Sequence, residues 1–126
     1  MGQSFRDLVV WQRAIDLSLA VYRLTSQFPS SEQFGLTNQM RRAGVSIASN
    51  IAEGHGKSTR GEYLLFLGHA RGSVCEIQTQ LVIAGALRYG AKELHTSTEN
   101  LAADVSRMLN ALFRKMKEKR AGPAAH

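Results

Sequence analysis

The chain holds 126 residues, 44% of them hydrophobic and 21% charged, and its 16 Lys and Arg against 10 Asp and Glu give a net charge of +6. That length suits one domain with a core of its own, and the balance excludes a disordered or collagen-like chain. A lone cysteine, Cys75, excludes an internal disulfide framework, and no apolar run approaches the roughly 18 residues that span a bilayer.

The N-terminus places Arg6 and Asp7 before its apolar run, shows no small-residue cleavage site, and leads the chain to be read as cytoplasmic. The first helix is expected from Asp7 or Val10 to Gln27. Val10, Ala14, Leu17, Val21, Leu24 and Phe28 recur at steps of three and four, one apolar stripe, which Trp11, Ile15 and Tyr22 widen. Pro29 pushes Phe28 out of helical geometry and ends the element. A second helix is expected from Leu36 or Thr37 to Gly54, with Leu36, Met40, Ala43, Ile47 and Ile51 inward and Gly54 and Gly56 as its stop. Thr59 stands three residues before Glu62, the spacing at which a hydroxyl caps a free backbone N–H, so a third helix is expected there. Its stripe is Tyr63, Phe66, Ala70, Val74, Ile77, Leu81, Ala84 and Leu87, and Gly90 is its expected stop. The same spacing at Thr96 and Glu99 is expected to open the last helix, on Leu101, Val105, Met108, Leu112 and Met116. Four helices on short turns, with no strand alternation, predict an all-α, up-down-up-down antiparallel four-helix bundle over residues 1–120 and a flexible tail over 121–126.

Helical bundles often house di-iron centres built from paired Glu-x-x-His motifs, and this chain has no such motif. Glu62, His69 and Glu76 share one face of the third helix, a polar stripe rather than a metal site. His55, His69, His95 and His126 make no zinc spacing with Cys75, which is read as a small core residue. Arg followed some residues later by His, as in certain bundle ribonucleases, occurs at Arg88 and His95 and at Arg120 and His126. Chance pairs of this kind are common in a chain so rich in arginine, and both fall outside the expected helices. No metal and no cofactor is expected.

Positive charge concentrates in RKMKEKR, Arg114 to Arg120. Such a segment suits a polyanion, since neutralising phosphates releases counterions, and it equally suits a solvated helix end that complements the C-terminal dipole. The stretch QMRRAGVSIASNIAEG is unusually small. As a helix it places Arg42, Ser46, Ser49 or Asn50, and Glu53 on one polar line, and Arg41, Val45, Ala48 and Ala52 on a small-residue face. Ser46, Ala48, Asn50, Ala52 and Glu53 are therefore read as a close helix or subunit contact with a polar network inside it.

The segments DLVVWQRAIDLSLAVYRLTSQFP, FGLTNQMRRAGVSIASNIAEGHGK and EYLLFLGHARGSVCEIQTQL, followed by ALRYG, resemble the four-helix-bundle family encoded by intervening sequences in bacterial 23S ribosomal RNA genes. They are similar also to the accessory variability determinant of diversity-generating retroelements. The resemblance covers about Phe5 to Met116 and implies a homopentamer with a central channel and a basic surface. It further implies a nucleic-acid role, RNA or DNA, with a reverse transcriptase as partner in the retroelement relatives, and no membrane and no established enzymatic activity. Ala48 departs from the proline that many members carry.

The leading expectation is a non-enzymatic homo-oligomeric bundle that binds structured RNA. The expected phosphate contacts are Arg41, Arg42, Arg60, Arg71, Arg114, Lys115, Lys117, Lys119 and Arg120. Base stacking is expected to be minor, because most of the nine aromatics sit at core spacing. The alternatives are a protein assembly scaffold without nucleic acid, and a ribonuclease acting through His95.

Overall fold

Apolar residues at helical steps, with only Pro29 interrupting the described chain, commit the backbone to helix. The structure, a computed structural model, describes residues 4–121, the side chains of 119–121 excepted. The expected tail from residue 122 onward and the side chains of Lys119 and Arg120 lie outside the described residues. Four helices follow one another: α1 (Val9–Thr25), α2 (Leu36–His55), α3 (Arg60–Ala86) and α4 (Lys92–Ala121). Short 3₁₀ turns at Phe5–Asp7 and Ser30–Glu32 precede α1 and α2. Each helix packs on its chain neighbours and α1 closes the ring on α4, an antiparallel four-helix bundle without strands among the described residues. This is the fold class expected from the periodicity.

Caps set the helix ends. Thr59 Oγ1 accepts from the Glu62 backbone N–H at 3.1 Å and donates to Glu62 Oε1, so the capping pair expected at α3 is formed. The Thr96–Glu99 pair is not a cap. α4 begins one turn earlier at Lys92, and Thr96 Oγ1 donates to the Lys92 carbonyl instead. The reason lies upstream: α3 stops at Ala86, short of the expected Gly90, and closes with Arg88 N–H on Gly85 O and Tyr89 N–H on Ala84 O. Arg88 takes the left-handed position of that closure with φ 60. Gln27 Oε1 then accepts from the Ala91 N–H at 2.6 Å, and α4 can start at once. At the other connection Glu32 Oε1 accepts from the Leu36 N–H at 3.0 Å and caps α2.

Leu17, Leu24, Met40, Ile47, Ile51, Leu67, Ile77, Leu81 and Leu109 form the centre of the core. The expected stripes of α1 and α2 are inward, with Leu36 at the margin. The expected stripe of α3 is inward at Ala70, Val74, Ile77, Leu81 and Ala84 and departs at the two ends of the helix, and that of α4 is inward at Val105 and otherwise rotated. Leu64 and Leu67 are buried in place of Tyr63 and Phe66, which are half-buried, while Leu87 is 51% exposed. On α4, Ala102, Val105 and Leu109 are buried, and Leu101, Met108, Leu112 and Met116 lie at the edge. α3 carries apolar residues on nearly every side, so its sequence defines no single inward face. Its rotation is set by α2: a Cβ on Gly54 would stand 2.9 Å from Phe66 Cβ and 3.3 Å from the Tyr63 carbonyl. Backbone there touches side chain with no space between.

Substituting Gly54 by Val is expected to cost about 1–3 kcal/mol in urea unfolding, because α3 must shift. Gly72→Ala, whose Cβ meets nothing within 4 Å, is expected to gain about 0.5–1 kcal/mol from helix propensity. Equal effects at the two glycines would refute the close approach. A second expectation concerns Tyr89, whose hydroxyl donates to Glu32 Oε2 at 3.1 Å. That bond, with desolvation and the carboxylate's charge, raises the phenol above its ordinary value, and burial alone raises Tyr63. A raised folded value means the stabilisation is complete below about pH 10 and is lost as pH climbs through the folded values. Tyr89→Phe should therefore flatten the alkaline fall of the urea midpoint, and an unchanged alkaline slope would contradict the Tyr89–Glu32 tie.

Candidate nucleic-acid interface

The antiparallel order brings the C-terminal half of α4 beside the start of α3 and the end of α2. The chain's basic segment therefore meets cations from two other places. Arg71 of α3 lays its guanidinium 4.4 Å from the centre of the Phe113 ring, and Lys117, one turn along α4, places Nζ 5.8 Å from the same ring. A ring face attracts cations through its quadrupole, so Phe113 holds two of them at a site where they would otherwise repel. Arg114 and Lys115 are exposed on the same turn of helix. Lys57 and Arg60, both exposed, stand at the α2–α3 turn, with Lys57 Nζ 5.0 Å from the Phe66 ring and 3.9 Å from Glu53. Four of the expected phosphate contacts, Arg60, Arg114, Lys115 and Lys117, thus share one end of the bundle, and Arg71 joins them from the middle of α3 through Phe113.

Arg41 and Arg42 lie apart from them, in the first half of α2. Arg41 is half-buried: its Nε donates to Thr25 Oγ1 at 2.9 Å and its guanidinium stacks 4.6 Å from the Tyr22 ring centre. Arg42 is exposed on a polar groove whose other walls include Asn38, Gln39, Ser46, Ser73 and Glu76.

The small-residue stretch of α2 resolves into a contact inside the chain. Ser46 and Ser73 hydroxyls lie 3.0 Å apart across α2 and α3, and Asn50 Nδ2 donates to the Ser46 carbonyl at 2.8 Å and to its hydroxyl at 2.9 Å. Ala48, read as part of a close helix or subunit contact, is buried in the core, while Val45 of the same small-residue face is exposed. Ala52 is half-buried, and Glu53 is exposed on its pair with Lys57.

Cys75 is exposed rather than in the core, because it falls opposite the α3 face that packs on α2 and α4. Among the described residues no group of three or more His, Cys, Asp and Glu could hold a metal ion, and no helix is long and apolar enough to cross a membrane. His69 stands edge-on to Phe66 at 5.7 Å and is not joined to Glu62 or Glu76. His95 is not in a loop: it lies on the first turn of α4 and is buried, with Nε2 at 2.6 Å from the Tyr89 carbonyl. Sequence reasoning missed Phe113 and Lys57. The i, i+4 spacing of Phe113 and Lys117 was a usable signal for the first, while Lys57 drew no attention because it sits alone in a turn.

Fold and surface together define an antiparallel four-helix bundle with a cationic end. The chain belongs to the 23S rRNA-intervening sequence protein family, whose model matches residues 6–111. It is similar in structure to a crystallised protein of unknown function from the S23 ribosomal protein family of Bacteroides thetaiotaomicron VPI-5482. That likeness has a TM-score of 0.77 at 19% identity and covers 89% of this chain and 99% of the other, which supports the fold. No curated protein matches the chain.

Proposed function

We propose that this chain is a non-enzymatic, homo-oligomeric bundle that holds structured RNA through phosphate contacts at its cationic end. The observation that carries the reading is the pairing of Arg71 and Lys117 on the Phe113 ring, with exposed Arg114 and Lys115 on the same turn of α4 and exposed Lys57 and Arg60 at the α2–α3 turn. These six cations attract a phosphate backbone in a way that needs no reading of bases. The rings among them are already covered, Phe113 by Arg71 and Phe66 by Lys57, which leaves bases little open stacking face. Self-association draws support from α3, which leaves Leu65 55%, Val82 69% and Ile83 46% exposed on its outer side. The family resemblance implies five copies.

RNA affinity measured by fluorescence anisotropy should fall steeply with salt and vary little with sequence. The combined variant Arg71→Gln, Arg114→Gln, Lys115→Gln and Lys117→Gln should lower the slope of log K against log salt by about three, on the order of 0.7–0.9 per lost phosphate contact. Affinity that is indifferent to salt, or a slope the variant leaves unaltered, would overturn the reading. Sedimentation of the wild-type chain as a monomer would remove its oligomeric part.

A further inference from the structure

At the end of the bundle opposite the cationic patch, α3 and α4 enclose a cleft of about 550 Å³. Lys92, His95, Thr96 and Glu99, which fall on one face over two turns, line the α4 side. Leu81, Val82, Gly85 and Arg88 form the α3 side. The Arg88–His95 pair, which the sequence separates between a turn and a helix, therefore converges on one space.

Three features of this cleft bear on what it could hold. Arg88 holds φ 60 as the left-handed residue that closes α3, a position glycine ordinarily fills, so a charged side chain stands there in its place. His95 is only 9% exposed, and its Nε2 must carry a hydrogen because the Tyr89 carbonyl can only accept. Its Nδ1 has no hydrogen-bond partner among the described residues. Gly85 leaves the floor open: the nearest atom to a Cβ placed there is His95 Cε1, at 4.0 Å.

We infer that this cleft is a nucleotide site. Arg88 and Lys92 supply two cations at its rim for a phosphate, the guanidinium in a geometry suited to two oxygens at once. Val82, 69% exposed, with the bare Gly85 backbone forms an apolar wall against which a flat body packs. The Glu99 carboxylate accepts hydrogen bonds, and with Nε2 donating to the Tyr89 carbonyl, His95 Nδ1 accepts as well, so the ligand is one that offers N–H or O–H donors. A phosphate joined to a flat ring that carries N–H groups and to a sugar that carries hydroxyls is the chemistry of a nucleotide, and 550 Å³ falls in the size range of small-ligand sites. The site is independent of the cationic patch, which lies at the other end of the helices.

The test is calorimetric titration of the full chain with AMP. Saturable binding is expected. Arg88→Gly should weaken it about tenfold, the magnitude of one charge-assisted contact, while leaving the melting temperature unchanged or higher, because glycine suits φ 60. Gly85→Leu should abolish it by filling the floor, again with the fold retained. The four-fold Gln variant of the cationic end should bind AMP as the wild type does. A 5′-phosphorylated tri-adenylate that binds more tightly than AMP identifies an RNA strand as the source of the nucleotide, and one that binds no better identifies the free mononucleotide. Absence of saturable AMP binding, inorganic phosphate binding as tightly as AMP, or wild-type affinity in Arg88→Gly and Gly85→Leu would each overturn the inference. So would loss of AMP binding in the four-fold Gln variant, which would transfer it to the patch.

Discussion

The contact between α2 and α3 is the constraint on which the other positions depend. At Gly54 there is no volume for a side chain between the helices, and about two turns back the Ser46 and Ser73 hydroxyls meet across the same seam. A glycine contact fixes distance, and a hydroxyl pair fixes rotation and register, since sliding α3 by one residue would part the two hydroxyls. Once α3 is held in that rotation, Arg71 faces Phe113, Gly85 faces His95, and Leu65, Val82 and Ile83 face outward. The cationic end, the cleft and the bare apolar face of α3 are thus three consequences of one seam.

The bundle was legible because the inward stripes of α1 and α2 follow one face at steps of three and four, and Pro29, Gly35 and Gly56 mark the end of α1 and the two ends of α2. α3 was not legible in the same way. With Leu64, Leu65, Phe66 and Leu67 in succession, four different inward faces satisfy the periodicity, and the choice among them is made by Gly54 on another helix. Cys75 was placed in the core for the same reason, one apolar neighbour being mistaken for a face. The Thr96–Glu99 pair failed differently. The pattern of hydroxyl and acid three apart fits a cap and also fits two exposed residues one turn apart, and only the Gln27–Ala91 and Tyr89–Ala84 bonds decide between them. The candidate phosphate contacts were readable as a charge run, but their grouping was not, because Arg60 and Arg71 join Arg114 only through the antiparallel return of the chain.

The densest run of cations in the chain falls on the C-terminal part of α4. α4 ends in cations, where its carbonyl dipole is negative, so part of the basic segment stabilises the helix itself. That local role explains cations on α4 and leaves Arg71 unexplained, since a mid-helix position on α3 has no dipole to complement. Its place over Phe113 lets the exposed charge remain on a supported side chain rather than a freely rotating one. Preorganised cations lose less conformational entropy on meeting a polyanion, which favours a surface of this kind over an equal number of unsupported lysines.

The other end is organised by carboxamide and carboxylate rather than by cations. Glu32 joins the start of α2 to Tyr89, Gln27 joins the end of α1 to Ala91, and Phe28 stacks 5.3 Å from the Tyr89 ring. All four helices are thereby tied to the α3–α4 turn, and Gly90, at φ 81, fits there only because it lacks the Cβ that would stand 2.6 Å from Leu24. A turn held from so many directions can keep Arg88 in a conformation that costs on the order of 1 kcal/mol. The turn's own hydrogen bonds are backbone bonds and would form as well with glycine, so they do not account for the arginine. What the arginine adds is a charge on the lining of the cleft that Lys92 and His95 share, and that is the part of the turn with no structural role.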